Sequence, residues 1–169
     1  FDASPQAIHG LLSAVPRQHP SSADMSNAAI RRAEPADAAL LADLGVAMLE
    51  QPLPADDDSA LENFVHPLPI CADESCHTRE SLPRLRGRYE MVNIKLDKTG
   101  GLTEALALAG EAERQGFERM LGCMLCTSRG IAAALPLAPL ARFADLDGPT
   151  WLAVDVEPAL RFSTGVLHL

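Results

Sequence analysis

The chain repeats one unit, in which a short apolar run is followed closely by a polar or reactive residue, and this repeat constrains the fold more than any other feature. From about residue 31 onward the runs cover residues 46–49, 68–71, 91–94, 119–122 and 141–144. The residues that come after them are Glu50, Asp73, Lys95, Cys123 and Asp145, at intervals of 23, 22, 28 and 22 residues. Such regular spacing indicates a repeat of β-strands and α-helices.

The stretches between the runs predict the helices of this repeat, over residues 33–44, 57–64, 78–85, 102–115 and 128–140. A further strand is predicted over 151–154, with Trp151 in the core. Alternating strands and helices specify a parallel sheet with right-handed crossovers, either an open doubly wound sheet or a barrel. In both architectures ligands bind at the carboxyl edge of the sheet, where the residues that follow the strands lie.

Chain length bears on the domain organisation. With 169 residues the chain is long enough for one domain, but it is shorter than the roughly 250 residues of a complete (β/α)₈ barrel. Residues 1–28 lack the repeat and are interrupted by Pro5, Pro16 and Pro20. We therefore expect an irregular segment over 1–28 and one α/β domain over 29–169.

Composition argues against several classes of partner. The net charge is −9 and the 12 arginines are scattered, whereas nucleic-acid binding needs clustered Lys and Arg. No apolar run approaches the roughly 18 residues of a membrane span, and no secretory signal is visible. Four cysteines without an export signal favour free thiols in a reducing compartment. A cytoplasmic protein with no nucleic-acid or membrane partner is therefore expected.

Acidic residues at the strand ends suggest a cation site. Glu50, Asp73 and a third acid nearer the N-terminus could converge on one hard cation, which prefers oxygen ligands in octahedral geometry. The alternative is that these acids cap the helices that follow them. Spacing alone does not separate the two interpretations.

Lys95 is the candidate base. It ends an apolar strand, so its amine is expected at the same mouth as the carboxylates, where a dication and partial burial would lower its pKa. The alternative is a surface lysine with a buried stem. Only Lys95 and Lys98 occur in the whole chain, which favours a specific role.

Five short segments stand at the predicted strand ends: Leu-Glu-Gln-Pro at 49–52, Ala-Asp-Glu-Ser at 72–75, Asn-Ile-Lys-Leu-Asp-Lys-Thr-Gly-Gly at 93–101, Leu-Gly-Cys-Met at 121–124 and Asp-Leu-Asp-Gly-Pro at 145–149. Their order and spacing resemble the barrel of the dipeptide epimerases of the enolase superfamily. The likeness covers roughly residues 31–169. It implies part of a (β/α)₈ TIM-type barrel, about strands four to eight.

The resemblance implies a Mg²⁺-dependent 1,1-proton transfer at the α-carbon of a small dipeptide of the L-Ala-D/L-Glu type. Mg²⁺ would hold the substrate carboxylate while a lysine on each face of the α-carbon removes or returns the proton. Glu50 and Asp73 match the second and third Mg²⁺ ligands, and Lys95 matches the base on strand six. Asp145 and Asp147 match the Asp-x-Asp that meets the substrate α-ammonium. The alternative for this pair is helix or loop capping.

Some elements of the family pattern have no clear counterpart. The other base lies in a Lys-x-Lys on the second strand, and no lysine precedes Lys95. The first Mg²⁺ ligand matches Asp24 by spacing or Asp2 by its neighbouring residues, and neither is preferred. The N-terminal capping domain of the family also has no counterpart.

Several alternatives stay open. Within the superfamily, the chain could belong to an o-succinylbenzoate synthase or an N-acylamino acid racemase. Outside catalysis, it could be a half-barrel that serves as a binding or assembly module. A half-barrel exposes two sheet edges and apolar helix faces, so self-association into a homo-oligomer is expected. A zinc site formed by Cys71, Cys76, Cys123 and Cys126 is disfavoured because Cys71 lies inside an apolar strand.

Overall fold

The structure of the protein is a computed structural model that describes residues 35–63 and 65–168. The candidate ligands Asp2 and Asp24 and the boundary between residues 28 and 29 lie outside these ranges, so they stay predictions. Within the described ranges the chain forms a parallel sheet connected by helices, followed by a small β-hairpin.

Five parallel strands form one sheet in the order of the chain, β1-β2-β3-β4-β5. The strands are β1 Leu49–Glu50, β2 Ile70–Ala72, β3 Met91–Ile94, β4 Glu118–Leu121 and β5 Phe143–Ala144. Each strand lies beside the strand before it in the chain, whereas a doubly wound sheet contains a point at which the order reverses. The sequential order is that of a barrel wall, which confirms the predicted partial (β/α)₈ barrel.

Helices connect the strands near the predicted positions. The α-helices are α1 Pro35–Asp43, α2 Leu82–Leu85, α3 Leu96–Thr99, α4 Leu102–Arg114 and α5 Ser128–Ala134. Short 3₁₀ helices cover Ser59–Asn63, Arg79–Ser81, Leu135–Leu140 and Gly148–Trp151. The predicted helix over 128–140 changes to 3₁₀ geometry where Pro136 and Pro139 remove backbone donors. None of the described helices is long and apolar enough to cross a membrane.

Helix α4 packs one face against the sheet. Its buried residues are Ala105, Leu108, Ala109 and Ala112. Their spacing of three and four residues puts them in one stripe, the pattern of a helix that covers a core. They belong to the main apolar cluster together with Val92 and Ile94 of β3 and Leu121 of β4. Strand β3 is buried along its whole length, so it forms the centre of the sheet.

The region after β5 differs from the prediction. No strand forms over 151–154, because Pro149 starts a 3₁₀ helix over Gly148–Trp151. Trp151 is 75% exposed and not part of the core, which makes that prediction wrong. Its indole N–H donates a hydrogen bond to Asp147 Oδ2 at 3.1 Å, on the surface.

The chain then forms an antiparallel hairpin that the sequence did not predict. Its strands are β6 Arg161–Ser163 and β7 Val166–His168. The turn residues Thr164 and Gly165 have φ values of 48° and 75°. Positive φ at both central positions is typical of the type I′ turn that joins two tightly paired strands.

Candidate active site

The sheet brings the predicted site residues to one edge. Glu50 ends β1, whereas Asp73, Lys95 and Asp145 directly follow β2, β3 and β5. The strands are parallel and paired in register, so their carboxyl ends meet at the same edge. Predicted side chains from four different strands therefore share the edge at which barrel enzymes bind substrates.

Asp73 pairs with two lysines. Its Oδ2 accepts a hydrogen bond from Lys95 Nζ at 2.6 Å, and its Oδ1 accepts one from Lys98 Nζ. Burial alone would raise the pKa of the Asp73 carboxyl, but the hydrogen bonds and charges of the two lysines outweigh burial and hold that pKa below its ordinary value. Asp73 is therefore a carboxylate at neutral pH, the form in which it can bind a cation.

Lys98 is a site residue that sequence reasoning missed. Besides Asp73 Oδ1, its ammonium donates to the backbone oxygens of Asp73 at 2.6 Å and Asn93 at 2.9 Å. All three N–H groups of this ammonium therefore have acceptors. The available signal was its position in α3, three residues after Lys95 and close to one helical turn along the chain.

Lys95 is directed at the acids of the site, and its side chain is only 13% exposed, which does not fit a surface lysine. Burial would lower the pKa of the Lys95 amine. The hydrogen bond and charge of Asp73, with the charges of Glu50 and Glu74, outweigh burial and raise it above its ordinary value. The lowered pKa expected from the sequence is that of a lysine beside a bound dication, and it stays a prediction.

Glu50 is held by an amide from the centre of the sheet. Asn93 Nδ2 donates to Glu50 Oε1 at 2.6 Å. Burial is the main cause of a raised pKa at Glu50, and the negative charges of Asp73 and Asp145 raise it further, while Asn93 and Lys95 act in the opposite direction. The acids at this edge therefore repel one another, and a cation between them would reduce that repulsion.

Asn93 reaches Glu50 by passing over Gly122, the first residue after β4. The Asn93 side chain is 1% exposed, and its Oδ1 has no hydrogen-bond partner within the described part of the chain. A Cβ at position 122 would clash with that oxygen, so any larger residue there would have to displace the Asn93 side chain. Sequence reasoning missed Asn93 as well, although an amide inside an apolar strand was a usable signal.

Asp145 and Asp147 lie at the rim of this edge, and both are exposed. Partial desolvation and the charge of Asp147 raise the pKa of Asp145. Asp147 precedes the 3₁₀ helix Gly148–Trp151, but its side chain makes no capping hydrogen bond and accepts the indole N–H of Trp151 instead. Two accessible carboxylates this close in the chain are suited to an ammonium group.

The oxygen donors fit part of a Mg²⁺ site. Glu50 and Asp73 are carboxylates at the ends of neighbouring strands, and carboxylates are ligands that Mg²⁺ accepts. Over residues 35–63 and 65–168, no group of three His, Cys, Asp or Glu side chains is arranged to hold a metal ion. All four cysteines are free, with Cys71 and Cys76 buried, and they form no zinc site.

Comparisons with known proteins agree with this geometry. A family model described as enolase C-terminal domain-like matches residues 9–169. The chain is 83% identical to the L-Ala-D/L-Glu epimerase of Escherichia coli (strain K12) over 130 residues, which cover 77% of this chain and 40% of that protein. It is 53% identical to the N-acetyl-D-glutamate racemase of Pseudoalteromonas sp over 122 residues, which cover 72% of this chain and 39% of that protein.

One solved structure is that of a dipeptide epimerase from Cytophaga hutchinsonii complexed with Mg and the dipeptide D-Ala-L-Val. It matches with a TM-score of 0.72 at 26% identity, over 80% of this chain and 39% of that chain. The chain thus spans about 40% of the length of the curated relatives that it matches.

Proposed function

Because this chain belongs to the enolase C-terminal domain-like family, we propose that it is the catalytic barrel part of a Mg²⁺-dependent dipeptide epimerase. Such an isomerase moves a proton at the α-carbon of a dipeptide of the L-Ala-D/L-Glu type. The observation that carries the proposal is the convergence of Lys95, Asp73 and Glu50 at one edge of the sheet. The 83% identity to an L-Ala-D/L-Glu epimerase supports the choice of substrate class.

Each candidate residue has a chemical role in this proposal. Glu50 and Asp73 hold the cation. When bound, Mg²⁺ supplies positive charge that stabilises the negative charge developing on the substrate carboxylate as the α-proton leaves. Asp145 and Asp147 bind the α-ammonium of the dipeptide and so fix its N-terminal end. Lys95 accepts and returns the proton on one face of the α-carbon.

Lys95 can accept a proton only as a neutral amine. Its ion pair with Asp73 opposes this, since Asp73 raises the pKa of Lys95. If Asp73 is engaged by another positive group, Lys95 loses the main cause of its raised pKa. The proposal therefore couples the occupation of Asp73 to the activation of Lys95.

The number of bases limits what this chain can do by itself. No lysine precedes Lys95 in the sequence, and the hydrogen bonds of Lys98 are all used within the site. The chain therefore offers one lysine base to one face of the α-carbon. We expect it to exchange the α-proton of one epimer with solvent without converting that epimer into the other.

The test is proton exchange in D₂O with Mg²⁺, using L-Ala-L-Glu and L-Ala-D-Glu in separate samples. ¹H NMR should show loss of the α-proton signal of the glutamate residue from one of the two dipeptides. Lys95→Gln should abolish this loss, whereas Arg86→Gln, an exposed cation just before β3 at the opposite edge of the sheet, should not affect it. Exchange that persists in Lys95→Gln would exclude Lys95 as the base.

A second measurement examines the cation site separately. Calorimetric titration should show Mg²⁺ binding in the micromolar-to-millimolar range that is lost in Asp73→Asn. Asp43→Asn is the matched control, because Asp43 ends α1 ahead of β1, at the opposite edge of the sheet. Absence of both binding and exchange in the unsubstituted chain would favour a non-catalytic half-barrel that binds or assembles.

A second function is favoured by one observation, the 53% identity to an N-acetyl-D-glutamate racemase. An N-acetyl amino acid has no α-ammonium, so Asp145 and Asp147 would have no cationic partner in that substrate. Asp145→Asn should therefore slow exchange of the dipeptide but not of N-acetylglutamate. Faster exchange of N-acetylglutamate by the unsubstituted chain would make the racemase the better description.

Two other expectations stay predictions. A cytoplasmic location is supported by the four cysteines, which are all free. Self-association is supported by large exposed apolar side chains, among them Val65 at 85%, Val154 at 85% and Leu125 at 68%. Light scattering at increasing concentration would measure the association state.

A further inference from the structure

Gln51 follows Glu50 and has an unusual backbone conformation. Its φ is +35°, in a region that residues other than glycine rarely adopt. Its backbone N–H nevertheless continues the β1–β2 pairing by donating to the oxygen of Cys71 at 2.9 Å. A strained backbone of this kind persists only where surrounding contacts hold it.

The side-chain oxygen of Gln51 contacts the loop that carries Asp73. Gln51 Oε1 accepts hydrogen bonds from the backbone N–H groups of Asp73 at 2.8 Å and Ser75 at 3.2 Å. These contacts join residues 22 and 24 positions apart in the chain. One oxygen atom from the end of β1 therefore fixes the loop after β2.

The orientation of the Gln51 amide follows from its other neighbours. Gln51 Nε2 donates to the backbone oxygen of Leu53 at 2.7 Å and lies 2.9 Å from both Ser75 Oγ and Tyr89 Oη. Both hydroxyls donate to Asp58 Oδ2, at 2.6 and 2.8 Å, so each faces Gln51 as an acceptor. Only the amide nitrogen can donate to them, which leaves the amide oxygen for the backbone of Asp73.

A charged pair keeps these hydroxyls oriented. Asp58 is 4% exposed and accepts a hydrogen bond from Arg88 Nη1 at 2.8 Å. Because both groups are charged and mostly buried, Asp58 stays an acceptor. The two hydroxyls therefore donate to Asp58 and accept from Gln51. This network therefore holds the amide nitrogen of Gln51, while the amide oxygen of Gln51 holds the loop that carries Asp73.

We propose that Gln51 is a positioning residue that keeps the Asp73 backbone aligned with Glu50, so that both carboxylates can serve one cation. This role rests on the proposed function, because the relative placement of the two acids matters only if they share a ligand. Gln51 itself touches neither cation nor substrate. It acts through the two backbone N–H groups that its oxygen accepts.

A glutamine that only fills space would behave differently from one that positions Asp73. Gln51→Met keeps the approximate volume and removes both the acceptor and the donors. Gln51→Glu keeps an oxygen for the two backbone N–H groups but removes the donors to Leu53 and the two hydroxyls, so it separates the acceptor from the donors. Gln115→Met is the matched control, because Gln115 is a half-buried glutamine at the end of α4, before β4 and away from the site.

The first readout is amide hydrogen exchange measured by NMR, which needs no metal. In Gln51→Met the amides of Asp73 and Ser75 should exchange roughly ten-fold faster or more, since buried donors lose their acceptor. The amides of β3 should not change. In Gln51→Glu the amides of Asp73 and Ser75 should exchange more slowly than in Gln51→Met, because one acceptor oxygen is kept, and Gln115→Met should keep the slow exchange of the unsubstituted chain. Unchanged exchange at Asp73 and Ser75 in a folded Gln51→Met would overturn the proposal.

A second measurement is independent of whether the variants fold. In the unsubstituted chain, a scalar coupling across the hydrogen bond should connect the Asp73 amide nitrogen with the side-chain carbonyl carbon of Gln51. Its absence would overturn the proposal even if both Gln51 variants unfold.

Mg²⁺ titration of the same variants tests whether the position of Asp73 affects cation binding. Gln51→Met should weaken Mg²⁺ binding roughly ten-fold, in proportion to the lost hydrogen bonds, while Gln51→Glu should weaken it less because one acceptor oxygen is kept. Normal Mg²⁺ binding by Gln51→Met, with fast exchange at Asp73, would refute the positioning role but not the cation site. Failure of the proposed function would appear instead as no proton exchange in the unsubstituted chain.

Discussion

Gly122→Ala should destabilise the protein through Asn93, and the structure allows the size of the effect to be worked out. A Cβ at position 122 would lie 2.4 Å from Asn93 Oδ1, 2.7 Å from Nδ2 and 2.9 Å from Cγ. Asn93 is 1% exposed in the centre of the sheet, so it has little room to move away. Forcing extra volume into a packed interior costs about 1–3 kcal/mol of unfolding free energy.

A second cost comes from Glu50. Displacing Asn93 breaks its 2.6 Å hydrogen bond to Glu50 Oε1, and hydrogen bonds to charged groups contribute about 1.5–3 kcal/mol. Because relaxation reduces both costs, we expect Gly122→Ala to lower the free energy of unfolding by about 2–4 kcal/mol. In a chain that also carries Asn93→Ala, the close atoms are gone and the same substitution should cost less than about 1 kcal/mol.

The assay is urea unfolding followed by circular dichroism for the two single variants and the double variant. Gly110→Ala is the control, because Gly110 lies exposed within α4 and no atom lies within 4 Å of its added Cβ. That control should stabilise the chain by about 0.5–1 kcal/mol, the usual gain for alanine inside a helix. If Gly122→Ala costs the same with and without Asn93, the contact between the two residues is not the cause and the reasoning fails.

Two further predictions concern buried titratable groups. Asp58 is buried, which would raise its pKa, but hydrogen bonds from Ser75, Tyr89 and Arg88 hold that pKa below its unfolded value. The stability that ionised Asp58 contributes to the fold is therefore present above the unfolded pKa of about 3.9 and is lost as the pH falls through the folded pKa. Arg88→Met should therefore destabilise the chain at neutral pH and do so less in acid, measured by urea unfolding across pH. Burial also raises the pKa of Cys76 to about 11. Iodoacetamide should therefore modify the half-exposed Cys126 roughly ten-fold faster than Cys76 in the native chain. Peptide mass spectrometry should show this difference in the native chain and not after unfolding.

The strand repeat was sufficient to predict which residues gather at the carboxyl edge. The local sequence indicates which residues stand at strand ends, and in a parallel sheet the carboxyl ends of the strands lie along one edge. For this reason Glu50, Asp73, Lys95 and Asp145 were predictable without the structure. The structure places Glu50 at the end of β1 and the other three directly after β2, β3 and β5.

The supporting contacts were not predictable in the same way. Asn93 and Glu50 are 43 residues apart, and Lys98 and Asp73 are 25 apart. No local pattern specifies which of many polar residues will meet across such distances. The ion pair of Lys95 with Asp73, 22 residues away, was not predictable for the same reason.

Trp151 shows a different limit. A large aromatic residue after a barrel strand is expected in a core on hydrophobicity alone. Its indole also carries an N–H, which finds the Asp147 carboxylate at the surface. Pro149 lies in the first turn of a 3₁₀ helix over Gly148–Trp151, which includes the first residue of the expected strand.

The sequential strand order also has a consequence for how the chain folds. Within residues 35–63 and 65–168, each strand of the parallel sheet pairs only with its neighbours in chain order. Most of these sheet contacts therefore join segments that leave the ribosome close together in time. Each βα unit can dock on the edge left by the preceding one during synthesis, without waiting for distant segments. Growth of this kind leaves an unpaired strand edge until the next unit arrives, which makes the nascent chain most prone to aggregation between additions.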